Sequence, residues 1–436
     1  MVSDNVTLDG LVYGGRDGLL GESLTGLDLD VSRADRQILR ELARRVAELA
    51  SHPSQSETRD LWVRHNALEN VRPLVVCEPE YGWSEIFPPS ALRCGGRLAR
   101  KWELFLREEI HRGAELLDDS VIVSELRVPY VRDDLDWGVT IETTGGEHGG
   151  AFTWDAPIKS VEDIDRLRVP EISVDRERTE FLLNVARETF DGLLDVRLAT
   201  RWTPLFPMTK NLALFRGLEQ TMFDMIDAPE LVHRIMAFER DAYLAMLDRL
   251  EDEDLLSPNN DGAYVGSGGY GWSDELPQPD FGGVVRAADL WGHSESQETV
   301  SVSPEMFAEF VLPYQIPILE RFGLNCYGCC EPLDARWHLV ETIPNLRRVS
   351  VAPRSDRAFM AEALGGRYIM SIKPDPADLA MSCFDEKWVR SQLRRDLEAA
   401  RGCRIELIMK DNHTIGNEPE RAARWVRIAR EEIDRL

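Results

Sequence analysis

The chain has 436 residues, 43% of them apolar and 29% charged, which is the balance of a soluble globular protein rather than a disordered or fibrous one. At about 150 residues per domain up to three domains would fit, although barrels exceed that prior as single units. Lys and Arg number 51 against 77 Asp and Glu, and the net charge of −26 repels phosphate backbones and anionic lipid, which argues against nucleic acid and membrane surface as partners.

No run approaches the roughly 18 apolar residues of a membrane helix, and the start MVSDNVTLDG lacks the basic head and apolar middle of a signal peptide, so a cytoplasmic location is expected. Seven cysteines (Cys77, Cys94, Cys326, Cys329, Cys330, Cys383, Cys403) form an odd count in a long chain, which points to reduced thiols rather than a disulfide framework.

In chain order, Ser32 can cap a helix over 32–51, where Leu39, Leu42, Val46 and Leu49 recur at helical spacing. This makes residues 1–65 an N-terminal helical extension, with the polar SQSETRD stretch after Pro53 leading out of it. From residue 66 to 436 short β-rich runs alternate with helical ones. The strand candidates are 71–77, 120–127, 195–202, 254–261, 324–331, 346–352, 367–373 and 404–411. Helical patterns follow at 97–117, 177–192, 229–250, 304–322, 335–343, 356–364, 386–400 and 418–435, which is the pattern of an α/β protein of the (β/α)8 TIM-barrel type. A doubly wound open sheet would normally carry a Gly-rich phosphate turn after its first strand, and Cys77-Glu78-Pro79-Glu80 is not one. Two insertions follow strand candidates: 132–170, with the hairpin-like TTGGEHGGAF, and 262–292, with GAYVGSGGYG. Gly268, Gly269 and Gly271 would let a wall or lid approach a ligand closely.

The segment richest in chemistry is Asn325-Cys326-Tyr327-Gly328-Cys329-Cys330-Glu331-Pro332. Strand alternation would set Tyr327, Cys329 and Glu331 on one face and Cys326 with Cys330 on the other. A thiolate beside a carboxylate suits Zn²⁺, which takes sulfur, imidazole nitrogen and carboxylate oxygen and keeps an open position when catalytic. His413, after the eighth strand candidate, brings an imidazole to the same barrel end. Asn260, Asp261 and Tyr264, after the fourth, add polar groups, with a turn and an Asx cap as the plain alternative. The cluster Trp291 to Thr299 contributes Glu298 and His293, with a surface or packing role as the alternative for His293. Trp202, in Arg201-Trp202-Thr203-Pro204, would form an aromatic wall. There is no dinucleotide, P-loop, GxSxG or HExxH motif, which disfavours dinucleotide oxidoreductases, NTPases and serine hydrolases.

Three further stretches carry a family resemblance: Asn211 to Glu219 (NLALFRGLE), Asp227 to His233 (DAPELVH), and Ser303-Pro304-Glu305-Met306-Phe307 with Phe310 to Tyr314. Over about residues 70 to 436 the chain resembles the uroporphyrinogen decarboxylase superfamily, and within it the cobalamin-related, zinc-dependent methyltransferases. That branch holds zinc with a His-x-Cys at one strand end and a Cys near the last. Here Tyr327-Gly328-Cys329 and His413 stand at those places, so the ligand types are permuted. The resemblance implies Cys329, Glu331 and His413 as zinc ligands, with Cys330 as the alternative donor, and Glu331 and Tyr327 as catalytic groups. It assigns substrate orientation to Asn260, Asp261 and Tyr264, with His293 and Glu298 facing substrate and Trp202 stacking on it. The YGCCE run is similar to that of a subgroup in corrinoid-dependent O-demethylases. The implied reaction moves a methyl group from a methoxylated compound, an aromatic ether above all, to the Co(I) of a separate corrinoid protein, with zinc as Lewis acid. A homodimer is the superfamily expectation. The rival readings are methyl-corrinoid to thiol or folate transfer, and a decarboxylase-like lyase whose arginine-rich N-terminal motif has no match near residues 70–100. A corrinoid-binding or scaffolding protein without enzymatic activity is the third.

Overall fold

The computed structural model describes residues 29–133, 135–145, 152–199 and 205–436. The first helix, Arg33–Ala50, begins where Ser32 accepts a hydrogen bond from the Asp35 amide, and it buries Leu39, Ala43 and Val46. The polar stretch read as a connector is itself a helix, Pro53–Asn66, with Pro at its first turn and His52 as its cap. Its last turn carries the reason: Trp62, His65 and Asn66 are buried against the main sheet, an anchor that the polar surface of the segment conceals.

The strands are β1 (Leu74–Cys77), β2 (Glu125–Pro129), β3 (Glu142–Gly145), β4 (Phe152–Asp155), β5 (Asp195–Ala199) and β6 (Leu205–Phe206). They continue with β7 (Tyr264–Val265), β8 (Gly269–Tyr270), β9 (Trp291–Ser294), β10 (Leu324–Tyr327), β11 (Leu346–Val351), β12 (Ile369–Ile372) and β13 (Arg404–Met409). Seven of them form one sheet in the order β1-β13-β12-β11-β10-β9-β6, and every pair in it is parallel. This is the α/β class expected from the alternating runs. The parallel pair β2-β5 stands apart, and β3-β4 and β7-β8 are antiparallel hairpins, the first of them in the 132–170 insertion.

Among the described residues the hydrogen-bonded sheet does not close into an eight-stranded ring. The open edge of β1 is occupied by side chains instead. Asp119 Oδ2 accepts from the Val75 amide at 2.7 Å and Asp118 Oδ2 from the Cys77 amide at 2.9 Å, while the Asp119 amide donates to the Val75 carbonyl at 2.7 Å. Two carboxylates thus stand in for the ladder of a neighbouring strand.

The run 254–261 is not a strand, and 291–294 is. Pro258 has no N–H to donate to a ladder. Asn259 instead brackets one residue with its side chain, its Oδ1 accepting from the Trp291 amide at 2.9 Å and its Nδ2 donating to the Trp291 carbonyl at 3.0 Å.

The two faces of the main sheet differ in company. Val75, Cys77, Tyr327, Val349, Val351, Met370, Ile372, Leu407 and Met409 join the main apolar core. The opposite face is polar at many positions, and its apolar members (Leu74, Val76, Trp291, Leu324, Ile408) pack with Trp62, Tyr270 and Val265. The β7-β8 hairpin lies across this second face, and its glycines explain how. A Cβ on Gly266 would meet Cys326 of β10 at 2.7 Å, one on Gly269 would meet Arg348 of β11 at 2.5 Å, and one on Gly268 would run into Ile408 of β13. These glycines bring the loop against the protein's own sheet. Gly271 faces the Asn259 backbone carbonyl, which cannot swing aside. Gly271→Ala is therefore expected to lose about 1–3 kcal/mol in urea unfolding, the usual cost of overpacking; an unchanged midpoint would show that the hairpin is not tightly seated.

Candidate functional site

The C-terminal ends of the strands gather charged groups on the hairpin side of the sheet. Gly328 ends β10 with φ +89°, a conformation that favours glycine, and so breaks the side-chain alternation of the strand. Tyr327, still within the strand, faces the helices, its hydroxyl donating to Gln315 Oε1 at 2.8 Å. Cys329 turns toward the hairpin, where its Sγ lies 3.3 Å from Ser267 Oγ and 3.6 Å from Lys410 Nζ. Its backbone is fixed on both sides: the amide donates to Glu331 Oε2 at 2.8 Å and the carbonyl accepts from Ser350 Oγ at 2.7 Å.

Lys410, the residue after β13, also contacts Ser267 Oγ at 3.2 Å and Asp411 Oδ1 at 2.9 Å. Asp411 in turn accepts from Cys330 Sγ at 3.0 Å, and the two sulfurs are 3.5 Å apart. Asp411 (φ +61°) and Glu80 (φ +51°), both at this end of the sheet, hold left-handed backbone conformations uncommon outside glycine.

The electrostatics follow from this crowding. A hydrogen bond from Cys330, and then the Lys410 charge, hold the Cys329 thiol well below its ordinary range despite burial. Burial pushes Glu80 up to about 8, with Lys410 opposing it. Burial would raise Asp411 as well, but Lys410 and Cys330 keep it low. Lys373, following β12, is lowered to about 8 by burial. On the β9 side burial raises Glu295 and Glu298 and lowers Lys210. Such a concentration of displaced titrations makes this end of the sheet the candidate functional site.

The sequence-derived residues fall in several places. Glu331 is buried beside Cys329, but its oxygens are taken by backbone amides, Oε1 by Ser296 at 2.8 Å and Oε2 by Cys329. Burial and the Cys329 charge raise it to about 7. His413 is exposed and stacks on Tyr81, with centroids 5.3 Å apart. His293 lies on the hairpin side, 3.2 Å from the Gly328 carbonyl oxygen, and burial lowers it to about 4, leaving a neutral imidazole. Glu298 accepts from Thr209 Oγ1 at 2.7 Å. Tyr264 belongs to the hairpin and feels the charges of Lys410 and Glu80, its phenol pushed well up by burial. Asn260 donates to the Ser273 and Leu276 carbonyls, and Asp261 pairs with Arg127 at 2.8 Å. Both line a separate cleft of about 480 Å³ with Arg59, Glu125, Asp195 and Arg197. Glu125 and Asp195 open β2 and β5, so this cleft faces the N-terminal strand ends. Trp202 lies outside the described residues.

Cys329, Glu331 and His413 therefore do not converge. Among the described residues no group of three or more His, Cys, Asp or Glu is placed to hold a metal ion. As arranged, this donor set does not fit zinc.

Sequence reasoning missed Lys410, Lys373 and Ser267 as site residues. A readable signal existed for the two lysines, since each directly follows apolar residues at the end of its strand, in RYIMSIK and RIELIMK. Ser267 had none, because only the folded hairpin brings it to Cys329.

No family model matches the chain, and no curated protein does. Among solved structures it is similar in fold to a methyltransferase from Methanosarcina mazei, with a TM-score of 0.51 and 12% identity, over 87% of this chain and 98% of that one. At that identity the likeness is one of fold. No helix among the described residues is long and apolar enough to cross a membrane.

Proposed function

We propose that the chain is a methyltransferase that takes a methyl group from a methoxylated compound, an aromatic ether above all, and passes it to the Co(I) corrinoid of a partner protein. The observation that carries this reading is the buried Cys329–Lys410–Ser267 cluster at the C-terminal strand ends. The fold likeness to a methyltransferase and the superfamily resemblance of the sequence support it. In this reading the sheet is the greater part of a barrel whose ring is completed through β2 and β5.

Demethylating an ether leaves negative charge on oxygen, so the site must offer donors where that charge develops. Lys410 has three N–H donors, engaged with Asp411, Ser267 and Cys329. The contact to Cys329, at 3.6 Å, is the longest, and it is the one an incoming ether oxygen displaces most cheaply. Glu80, raised to about 8, carries a proton at neutral pH and can return it to the departing oxygen. The neutral His293 and the Tyr264 phenol lie buried on the same side of the sheet.

The reaction is tested by mixing the purified protein with Co(I) cobalamin and a panel of methoxybenzenes and following methylcobalamin by its absorbance. Formation with at least one donor is expected, and failure with all of them would remove the reading. Zinc enters the proposal only as a question of ligands, and elemental analysis answers it. Because His413 stands apart from Cys329 and Glu331, its ring exposed and stacked on Tyr81, His413→Ala is expected to leave the metal content of the purified protein unchanged. Zinc that is stoichiometric in the wild type and lost in His413→Ala would show that the site closes around the ion.

A further inference from the structure

Adjacent side chains on a regular strand point to opposite faces, which would keep Cys329 and Cys330 apart. Here the turn at Gly328 ends the strand first, and the two sulfurs lie 3.5 Å from each other. They differ in access, since Cys329 is buried and Cys330 exposed. Each has its own polar partner on the last strand's exit: Lys410 Nζ for Cys329 at 3.6 Å, and Asp411 Oδ2 for Cys330 at 3.0 Å. The third cysteine of the segment, Cys326, sits within β10 with its Sγ 3.6 Å from Arg348 Nη1.

We propose that Cys329 and Cys330 are a redox pair that closes into a vicinal disulfide in the presence of a low-molecular-weight disulfide, and so switches the site off. The exposed sulfur reacts first. The Cys330 proton passes across the sulfur–sulfur contact to Cys329, the Cys330 sulfur attacks one sulfur of the oxidant, and the oxidant's S–S bond breaks to release one thiolate, which takes that proton from Cys329. The Cys329 thiolate then attacks Cys330 Sγ of the mixed disulfide, forming the Cys329–Cys330 bond and expelling the second thiolate. The two cysteines lose two electrons and the oxidant is reduced to two thiols, one carrying the Cys330 proton and the other a proton from solvent.

The geometry also makes the bond reversible. Neighbouring Cα atoms are about 3.8 Å apart, shorter than the usual separation of about 4.4–6.8 Å across a disulfide, and strain of this kind makes the bond easier to reduce. Closure would take away the thiolate facing Lys410 and Ser267 while leaving Glu331 and Ser350 holding the backbone.

The test equilibrates the reduced full-length protein with oxidised glutathione, blocks free thiols with an alkylating agent, and reads the tryptic peptide 322–336 by mass spectrometry. The expected product is this peptide lighter by two hydrogens, alkylated at Cys326 alone, and restored by excess reduced glutathione. Cys330→Ser, at an exposed position, should abolish the product, and Cys326→Ser should keep it. A peptide that stays fully alkylated, a ring through Cys326, or arrest at a glutathione adduct on Cys330 would each overturn the proposal. None of these readings depends on methyl transfer, so failure here leaves the proposed reaction untouched.

Discussion

With Lys410 replaced by methionine, kcat for methyl transfer is expected to fall by about 10²–10³-fold with KM little changed, the signature of a donor that works mainly in the transition state. The side chain is buried and its nitrogen meets Ser267, Asp411 and Cys329, so it is held beside the position proposed for a developing oxyanion. The same substitution removes the cation that helps hold the Cys329 thiol low, and thiolate absorbance at neutral pH should diminish with it. A purely structural lysine would lower the melting temperature and leave kcat of the folded fraction intact. The pH profile gives a second check. If Glu80 returns the proton, kcat falls above about pH 8, and Glu80→Gln loses that limb. A variant lacking Lys410 that turns over at the wild-type rate would sink the proposed chemistry at this position.

Replacing Arg348 by methionine is expected to cost about 3–5 kcal/mol in chemical unfolding, because it strands a buried carboxylate. Arg348 Nε is 3.0 Å from Glu406 Oε1, and both side chains are almost wholly removed from water. The rest of the network reaches from the end of the second helix, Pro53–Asn66, to the site. His65 Nε2 lies 3.3 Å from Glu406 Oε2, Asn66 Oδ1 accepts from Arg348 Nη2 at 2.7 Å, and Lys373 reaches Glu406 through Ser371. Burial alone would raise Glu406, but Arg348 first, with His65 and Lys373, holds it well below its ordinary value. An acid lowered on folding contributes stability that is present above its unfolded pKa, near 4.3, and lost as pH falls toward the folded one. The wild type should therefore weaken below about pH 4.3, and the Arg348→Met variant should show a flatter acid limb. Adding Glu406→Gln should recover part of the loss. If the double variant is no more stable than Arg348→Met, the stranded carboxylate is not the cause.

Much of the fold was legible where local and global preferences agree. Runs such as RYIMSIK and RIELIMK carry β-branched and long apolar residues, and they are strands because both faces are covered. Trp291–Ser294 was illegible, since Gly, His and Ser have little strand preference. Pairing with β10 and β6 makes it a strand, and at Gly292 a side chain would strike Asn325 and Phe322. In the site, the segment around Cys329 was legible from its cysteines, but alternation carried across Gly328 misdirects Tyr327. His413 follows Lys410 closely in sequence, yet the left-handed turn at Asp411 accompanies a change of course that leaves its ring on Tyr81. The glycines of 262–271 signalled close approach correctly, and what they approach is the sheet. That identity was beyond any local pattern.

The parallel pairing of β1 with β13, Leu74 opposite Glu406 through Cys77 opposite Met409, joins the two ends of the chain. Lys410 and Asp411 hang directly from that seam, while Cys329 and Ser267 come from the middle of the sequence. A nascent chain thus carries the thiol and the hairpin long before it has the cation they meet. Closing so long a loop adds only a slowly growing entropic cost, but contacts of such sequence separation form late and slow the search for the native state. The site therefore comes into being only once β13 has docked, and any partially folded chain without that strand in place lacks the Lys410–Cys329 contact.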